Sequence, residues 1–459
     1  MRRLMGLVLA SGLAFGMAAP ISAETLADAL ISAYKNSNLL DQNQAVLRAA
    51  DEGVAQAVAA LRPVVEYNAS ISAARQRSQF SPDMANSLSQ SLSISASMTV
   101  YDFGRSDLGI KLAQESVLAT RQSLVSIEQD VLLDAVSAYI NVGLQTQTLA
   151  LRQSNTRLIT QELRAVKDRF EVGEATRTDV AQAEALLASA QAAEQAAQGS
   201  VTLAREDYLS RVGSYPGRLA PLPRAPELPK SLADAKAIAL RSHPIILQVQ
   251  SQVKASDLQI DIARANFQPT IRGTASGGAT YEDDAETSFG ASLGLSINQT
   301  IYAGGLKASF LRQAIASGEQ VRASARETGV ILSENVGRAW SNISVASANI
   351  QSTQKQVRAA QAAFDGVKEE ADLGARTTLD VLDAEQSLLD ARFAQLQAEA
   401  QLYEGIYQLL STMGLLTVDH LNLGIPTYDV EAYYDAVKTA PAHSAQGAAL
   451  DRILKTIGN

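Results

Sequence analysis

Ser91-Leu92-Ser93-Ile94-Ser95-Ala96-Ser97-Met98-Thr99-Val100-Tyr101 alternates hydroxylated and apolar side chains without a break. Successive residues of a strand face opposite ways, so this stretch reads as a strand with one apolar and one hydroxyl-lined face. Further along the chain Phe289, Ala291, Leu293, Leu295 and Ile297 alternate with Ser292, Ser296 and Asn298 in the same manner. Weaker strands precede both, Val65 to Ala73 and Ile271 to Tyr281, set off by the polar loops Gln76 to Asp83 and Glu282 to Glu286. Two β-hairpins are expected, at about 64–101 and about 270–302.

The second hairpin belongs to a second copy of the whole unit. Thr25-Leu26-Ala27-Asp28-Ala29 returns as Ser231-Leu232-Ala233-Asp234-Ala235, an offset of 206 residues that also carries Asp51 onto Asp257 and Pro63 onto Pro269. Beyond the hairpins the offset is 201, carrying Tyr101 onto Tyr302, Gly104 onto Gly305 and Gly173 onto Gly374. The change falls between the shared prolines and the shared tyrosines, where an exposed loop tolerates insertion. Residues 24–215 and 231–415 are therefore two repeats, joined by the Pro-rich linker 216–230. The segment 416–459 matches neither and is expected at the waist of the molecule or as a tail.

Outside the hairpins the period is helical. Apolar residues keep helical spacing from Leu26 to Leu61, where Pro63 stops the run. Leu124, Ile127, Val131, Ala135, Ala138 and Val142 belong to a longer run from about Arg105 to Phe170, a rod of roughly 100 Å at 1.5 Å per residue. A second helix returns from about Thr178 to Val212, and the second repeat does the same from Leu306 to Leu373 and from Leu379 to Met413. The reversals at about 171–178 and 372–379 are hairpin tips, with Gly173 and Gly374 where a helix C-cap takes a left-handed residue. Thr176-x-x-Asp179 and Thr377-x-x-Asp380 have the form of capping boxes, the ordinary structural reason for both acids. Asp383 lies one turn beyond Asp380 on the same face, and a solvated face is its ordinary explanation.

Composition removes several classes of function. The chain has 459 residues and no Cys, which excludes disulfide scaffolds, thiolate metal sites and cysteine nucleophiles. His243, His420 and His443 form no ligand spacing, so neither metal nor cofactor is expected. A net charge of -9 and a pI near 5.1 argue against nucleic acid. Arg2 and Arg3, an apolar run from Leu4 to Ala19 and the small-residue stretch Ile21-Ser22-Ala23 read as a signal peptide, 1–23, cleaved before Glu24. No later apolar run reaches the roughly 20 residues of a spanning helix, so any passage through a membrane falls to the strands. Gly290-Ala291-Ser292-Leu293-Gly294 spells a nucleophile elbow, but its Ser is mid-strand in an alternating run, and no enzyme is expected.

Four strands are too few to close a barrel, and an open sheet edge cannot face lipid, so chains must pool their strands. Eight-stranded barrels are filled by side chains, whereas Ser-rich inner faces suit a wet lumen, which favours three chains and twelve strands. Tyr101, Phe103 and Tyr302 are placed like one aromatic girdle at a membrane interface. A soluble β-sandwich fares worse, because it gives the paired helical rods nothing to attach to.

A secreted chain of two helix–β-hairpin–helix–helix units resembles the TolC family. Its most specific residues are Phe170-Glu171-Val172-Gly173 with Thr178-Asp179-Val180, and Leu373-Gly374-Ala375-Arg376-Thr377-Thr378-Leu379-Asp380-Val381-Leu382-Asp383-Ala384. The resemblance implies a mainly α protein with a β-barrel part: a trimeric twelve-stranded outer-membrane β-barrel continued by a twelve-helix periplasmic α-barrel. It implies residence in the outer membrane of a Gram-negative cell and export of drugs or polypeptides. It also implies partnership with a periplasmic adaptor and an inner-membrane ABC or RND transporter. By resemblance Asp380 and Asp383 form an acidic constriction at the periplasmic entrance, where threefold repetition should raise some of their pKa values. Arg376 matches an arginine tying one hairpin to its neighbour, with Thr178 and Asp179 as partners. Ala371 stands where the best-known members carry a gate tyrosine, which removes one link. The exposed tips, Val172, Gly173 and Glu174 with Leu373, Gly374 and Ala375, are expected to dock the adaptor. Two alternatives compete. A trimeric coiled-coil surface or adhesive protein has no reason to duplicate a hairpin and an acidic tip, and an adaptor needs a membrane tether and further β-domains.

Overall fold

The structure, a computed structural model, describes residues 23–77, 84–282 and 285–440. Residues 1–22 of the expected signal peptide, much of the two hairpin loops and the tail beyond Ala440 lie outside the described residues.

Each repeat opens on a capped helix pair. The Thr25 hydroxyl accepts from Asp28 N–H, and the Asp28 carboxylate accepts from Thr25 N–H, starting α1 (Leu26–Asn36). The helical run expected from Leu26 to Leu61 is broken here, because Ser37 adopts an extended conformation and its hydroxyl caps a second helix, α2 (Asn38–Ala59). A short polar residue that bonds the next turn's N–H competes with helix continuation, which the apolar spacing does not register. Two strands follow, β1 (Val64–Arg77) and β2 (Met84–Tyr101), then the rod α3 (Arg105–Glu171) and its return α4 (Arg177–Val212). Repeat 2 has the same order: α5 (Leu232–Ser242), α6 (Pro244–Ala265), β3 (Thr270–Glu282), β4 (Ala285–Asn298), α7 (Leu306–Asp372) and α8 (Thr378–Thr412). Its helix break lies at His243, whose ring nitrogen accepts from Ile245 N–H ahead of Pro244. One short helix, α9 (Ala432–Val437), lies in the C-terminal segment.

The strands extend further into the expected loops than the sequence pattern marks, β1 to Arg77 and β3 to Glu282. All four join in one antiparallel sheet of order β1-β2-β3-β4, with β2 and β3 uniting the two repeats. Strands of 13 to 18 residues exceed the roughly 9–11 that a tilted strand needs to cross a bilayer.

The core is not in the sheet. It sits at mid-height of the rods, where Leu132, Ala135, Val136 and Tyr139 of α3 meet Leu26 and Leu30 of α1, Tyr208 and Val212 of α4, and Leu409 and Met413 of α8. Tyr139 and Tyr208 are both fully buried, and their hydroxyls reach Glu24 and the linker. Tyr139 donates to Ala220 O at 2.7 Å, and Tyr208 donates to the Glu24 carboxylate at 2.6 Å. Trp340 packs against this same core. The C-terminal segment closes over it: Val418 N–H donates to Glu128 at 2.7 Å, Tyr428 N–H to the Tyr34 hydroxyl at 3.3 Å, and the Tyr433 hydroxyl to Glu52 at 2.7 Å. Towards the tips the core thins to small clusters such as Leu163, Val166 and Ala183.

Candidate functional site

The sheet has two unlike faces. Leu92, Ile94, Met98 and Val100 of β2 share one face with Ile71 of β1 and with Phe289, Leu293, Leu295 and Ile297 of β4. These side chains are solvent-exposed, Leu293 to 89% and Phe289 to 83%, far outside what a water-facing surface carries as a continuous patch. The opposite face is hydroxylated, with Ser70 and Ser91 in contact at 2.7 Å and Ser276 and Ser292 at 2.8 Å. Ser292 therefore lies mid-strand against another serine, not on a strand-to-helix turn. β1 and β4 are the sheet edges, with their outer backbone groups free of any strand partner among the described residues. Tyr101 and Phe103 meet edge to face at 4.7 Å where the sheet passes into α3, and Tyr302 occupies the matching junction before α7.

At the far end of the rods the two tips are built alike. Glu174 N–H donates to Arg169 O, and Ala375 N–H to Glu370 O, both at 2.8 Å. Each closure requires a left-handed residue, supplied by Gly173 (φ +85°) and Gly374 (φ +80°). A helix then restarts on a capping box. Asp179 N–H donates to the Thr176 hydroxyl at 3.2 Å, and Asp380 N–H to the Thr377 hydroxyl at 3.3 Å. The Asp179 and Asp380 carboxylates accept from the N–H of Thr176 and Thr377 at 2.8 Å and 2.9 Å. Those backbone bonds, with the threonine hydroxyls second, hold both carboxyls below the usual aspartate range within the single chain. Asp383 is exposed one turn on, while Val381 and Leu382 face the interior. Val172, Gly173, Glu174, Leu373, Gly374 and Ala375 are all exposed.

The structure does not join Arg376 to Thr178 or Asp179 within one chain. Arg376 Nε instead donates to Glu370 Oε2 at 2.8 Å, on its own hairpin. Close to the tips, Arg169 Nη1 links the two hairpins by donating to the Thr378 hydroxyl at 3.4 Å. Sequence reasoning missed both, yet a signal was present: the 201-residue offset superposes Arg169 on Glu370, opposite charges at one position just before each tip. Ala371 is buried. Among the described residues no group of acids and histidines could hold a metal, and no helix is long and apolar enough to cross a membrane.

A sheet with one exposed apolar face and one hydroxyl-lined face stands with two rods of 67 residues on one duplicated chain. The outer membrane efflux protein family matches it twice, over residues 30–210 and 237–415. The chain belongs to that family. It is similar to the outer membrane efflux protein BepC of Brucella suis, at 36% identity with 94% of each chain covered. It is also similar to the outer membrane protein TolC of Vibrio cholerae, at 25% identity with 91% of this chain and 96% of that one covered. The solved structure of the outer membrane protein VceC of Vibrio cholerae shares the fold, with a TM-score of 0.72 at 20% identity over 85% of this chain and 96% of that one. As an outer membrane efflux protein, the chain resides in the outer membrane of a Gram-negative cell and extends into the periplasm. Its fold is the mainly helical channel fold with a small sheet, and its function is export.

Proposed function

We propose that three copies assemble by pairing β1 of one protomer with β4 of the next, closing twelve strands around a wet lumen and continuing as a helical duct to the tips. The observation that carries this reading is the four-stranded sheet with an exposed apolar face and two unpaired edges. In hydrocarbon each unpaired amide costs several kcal/mol, a cost that closure removes. Residues 24–215 and 231–415 supply equivalent halves, 216–230 links them, and the described part of the C-terminal segment, 416–440, forms an equatorial segment. Tyr101, Phe103 and Tyr302 mark the periplasmic side of the membrane.

The duct performs no chemistry. Its energy comes from an inner-membrane transporter reached through a periplasmic adaptor, which docks on the exposed tips around Gly173 and Gly374. Asp380 and Asp383 line the entrance, and between protomers Arg376 is the group that ties one tip to Thr178 and Asp179 of the adjoining one. Similarity to an efflux protein over nearly the whole chain favours efflux. The test is a photo-crosslinking residue at Glu174 and at Ala375, with captured proteins identified from intact cells. Capture of an adaptor whose partner is a proton-driven pump supports efflux. An adaptor paired with an ABC exporter replaces that with type I secretion, and intact outer-membrane trimers that capture no adaptor overturn the docking assignment.

A further inference from the structure

The 201-residue offset that relates the hairpins superposes Lys167 on Lys368 and Glu184 on Glu385. In repeat 1 the two residues are joined: Lys167 Nζ lies 2.7 Å from Glu184 Oε1 across α3 and α4, with both side chains about half exposed. In repeat 2 the same residue types stand at the same places on α7 and α8 and form no ion pair. Lys368 stays in solvent, while Glu385 is only 7% exposed and its Oε2 is buried with no hydrogen-bond donor. A duplicated ion pair has thus been kept in sequence and opened in space.

Glu385 is turned into a cleft of about 110 Å³ between the two hairpins, lined by Asn155 and Leu158 of α3, Gln361 and Phe364 of α7, and Leu388 and Arg392 of α8. Glu162 on α3 repels its anion, and Lys368 on α7 attracts it. Other charges around the cleft are already engaged. Arg392 donates to Gln361 Oε1 at 2.7 Å, Gln361 donates to Asp365 at 2.9 Å, and Arg152 of α3 lies over the Phe393 ring at 4.1 Å. On α4, which meets α8 through Ala190 and Leu382, Glu184 is held by Lys167. No hydrogen-bond donor reaches Glu385 Oε2, and a buried carboxylate oxygen without one is strongly unfavourable.

We propose that Glu385 is a proton-operated latch between the hairpins: protonated, it stays buried against α3 and holds the duct closed, and ionised, it withdraws to Lys368 and releases α7 and α8 from α3. The proposal rests on the reading of the tips as the closed entrance of a duct. Burial, with Glu162 adding to it, pushes the Glu385 carboxyl up to about 7, against the pull of Lys368. A raised carboxyl binds its proton more tightly in the closed packing, which is therefore fully supported below about pH 4.5 and loses that support as the pH rises to about 7. The exposed Lys167–Glu184 pair of repeat 1 is the geometry the ionised form adopts.

The test is conductance of purified trimers in planar bilayers between about pH 4 and about pH 8, for wild type, Glu385→Gln and Lys368→Gln. Wild-type conductance should rise on the order of threefold or more between about pH 4.5 and about pH 7, as a two-state population shifts. Glu385→Gln should stay at the acid-side level throughout, and Lys368→Gln should move the midpoint upward by about one pH unit, because the ionised form has lost its partner. Since the chain has no cysteine, spin labels placed at Glu174 and Ala375 give an independent readout, with the tip separation growing with pH in wild type and fixed in Glu385→Gln. A Glu385→Gln trimer that follows the wild-type profile in both measurements overturns the latch. Arg376→Ser distinguishes failure of the latch from failure of the duct. If it conducts while wild type ignores pH, only the latch fails, and if no variant conducts at any pH, the duct reading fails with it.

Discussion

Asp51 and Arg121 stand in the first repeat where Asp257 and Arg322 stand in the second, and only the second pair is joined. The Arg322 guanidinium donates to the Asp257 carboxylate, whereas Arg121 turns to Glu431 at 3.4 Å and lies 5.2 Å from the Tyr434 ring centre. Asp51 is left 1% exposed, with neither carboxylate oxygen hydrogen-bonded. The C-terminal segment has taken the place of an ion pair that the duplicated unit still encodes. Arg62 adds to the same docking, donating to the carbonyls of Thr439 and Ala440.

Asp51 should therefore cost stability once ionised. Burial, reinforced by Glu52 and opposed by Arg121, pushes its carboxyl up to about 6. A raised carboxyl binds its proton more tightly in the folded state, so the contribution of Asp51 to stability is greatest in acid and declines as the pH rises from about 4 to about 6. Asp51→Asn should raise the thermal dissociation midpoint of the trimer at pH 8 and leave it nearly unchanged at pH 4, with the difference opening across that window. A midpoint lowered at pH 8 would show that Arg121 compensates Asp51 after all.

The Arg376–Glu370 bond makes a second prediction separable from the gate assignment. Arg376→Ser should raise single-channel conductance if Arg376 ties protomers together. Glu370→Gln, which removes only the partner within the hairpin, should leave conductance within about twofold of wild type, because an exposed ion pair is worth little. Equal effects from both variants would assign Arg376 to its own hairpin alone.

Neighbouring residues of β4 should differ sharply in tolerance. Leu293 lies on the apolar face, and Leu293→Arg should destabilise insertion into liposomes by about 2–4 kcal/mol, the cost of a lipid-facing cation near mid-membrane. Ser292→Arg, on the hydroxylated face, should insert normally and alter ion selectivity. Similar insertion by both would mean that the sheet faces do not divide lipid from lumen.

Tyr208 ties α4 to the start of the repeat through its 2.6 Å bond to the Glu24 carboxylate. Tyr208→Phe keeps the packing and removes the bond, so the expected loss is about 1.5–3 kcal/mol, read as a lower dissociation midpoint. Bulky side chains at Gly173 and Gly374 act on function instead. Their Cβ atoms would meet open space, but the positive φ resists any other residue, so export should fail while trimers persist.

Features governed by near neighbours could be read from the order of the residues. The duplication, the alternation of β2 and β4, the glycines closing both tips and the boxes of Thr176 with Asp179 and Thr377 with Asp380 were all legible, because strand period and helix capping depend on residues within about four positions. The helix break at Ser37 was local too, but one hydroxyl against a continuous apolar spacing is a weak signal. Tertiary structure alone decided the partners. Arg121 and Glu431 are 310 residues apart, and Arg376 chose Glu370 over Thr178 and Asp179. The same pair of residue types closes at Lys167 and Glu184 and stays open at Lys368 and Glu385. An ion pair is a competition among every charge within a few ångströms and the burial each must accept. Two copies of one sequence therefore resolve that competition differently once the C-terminal segment covers the first and α3 covers the second.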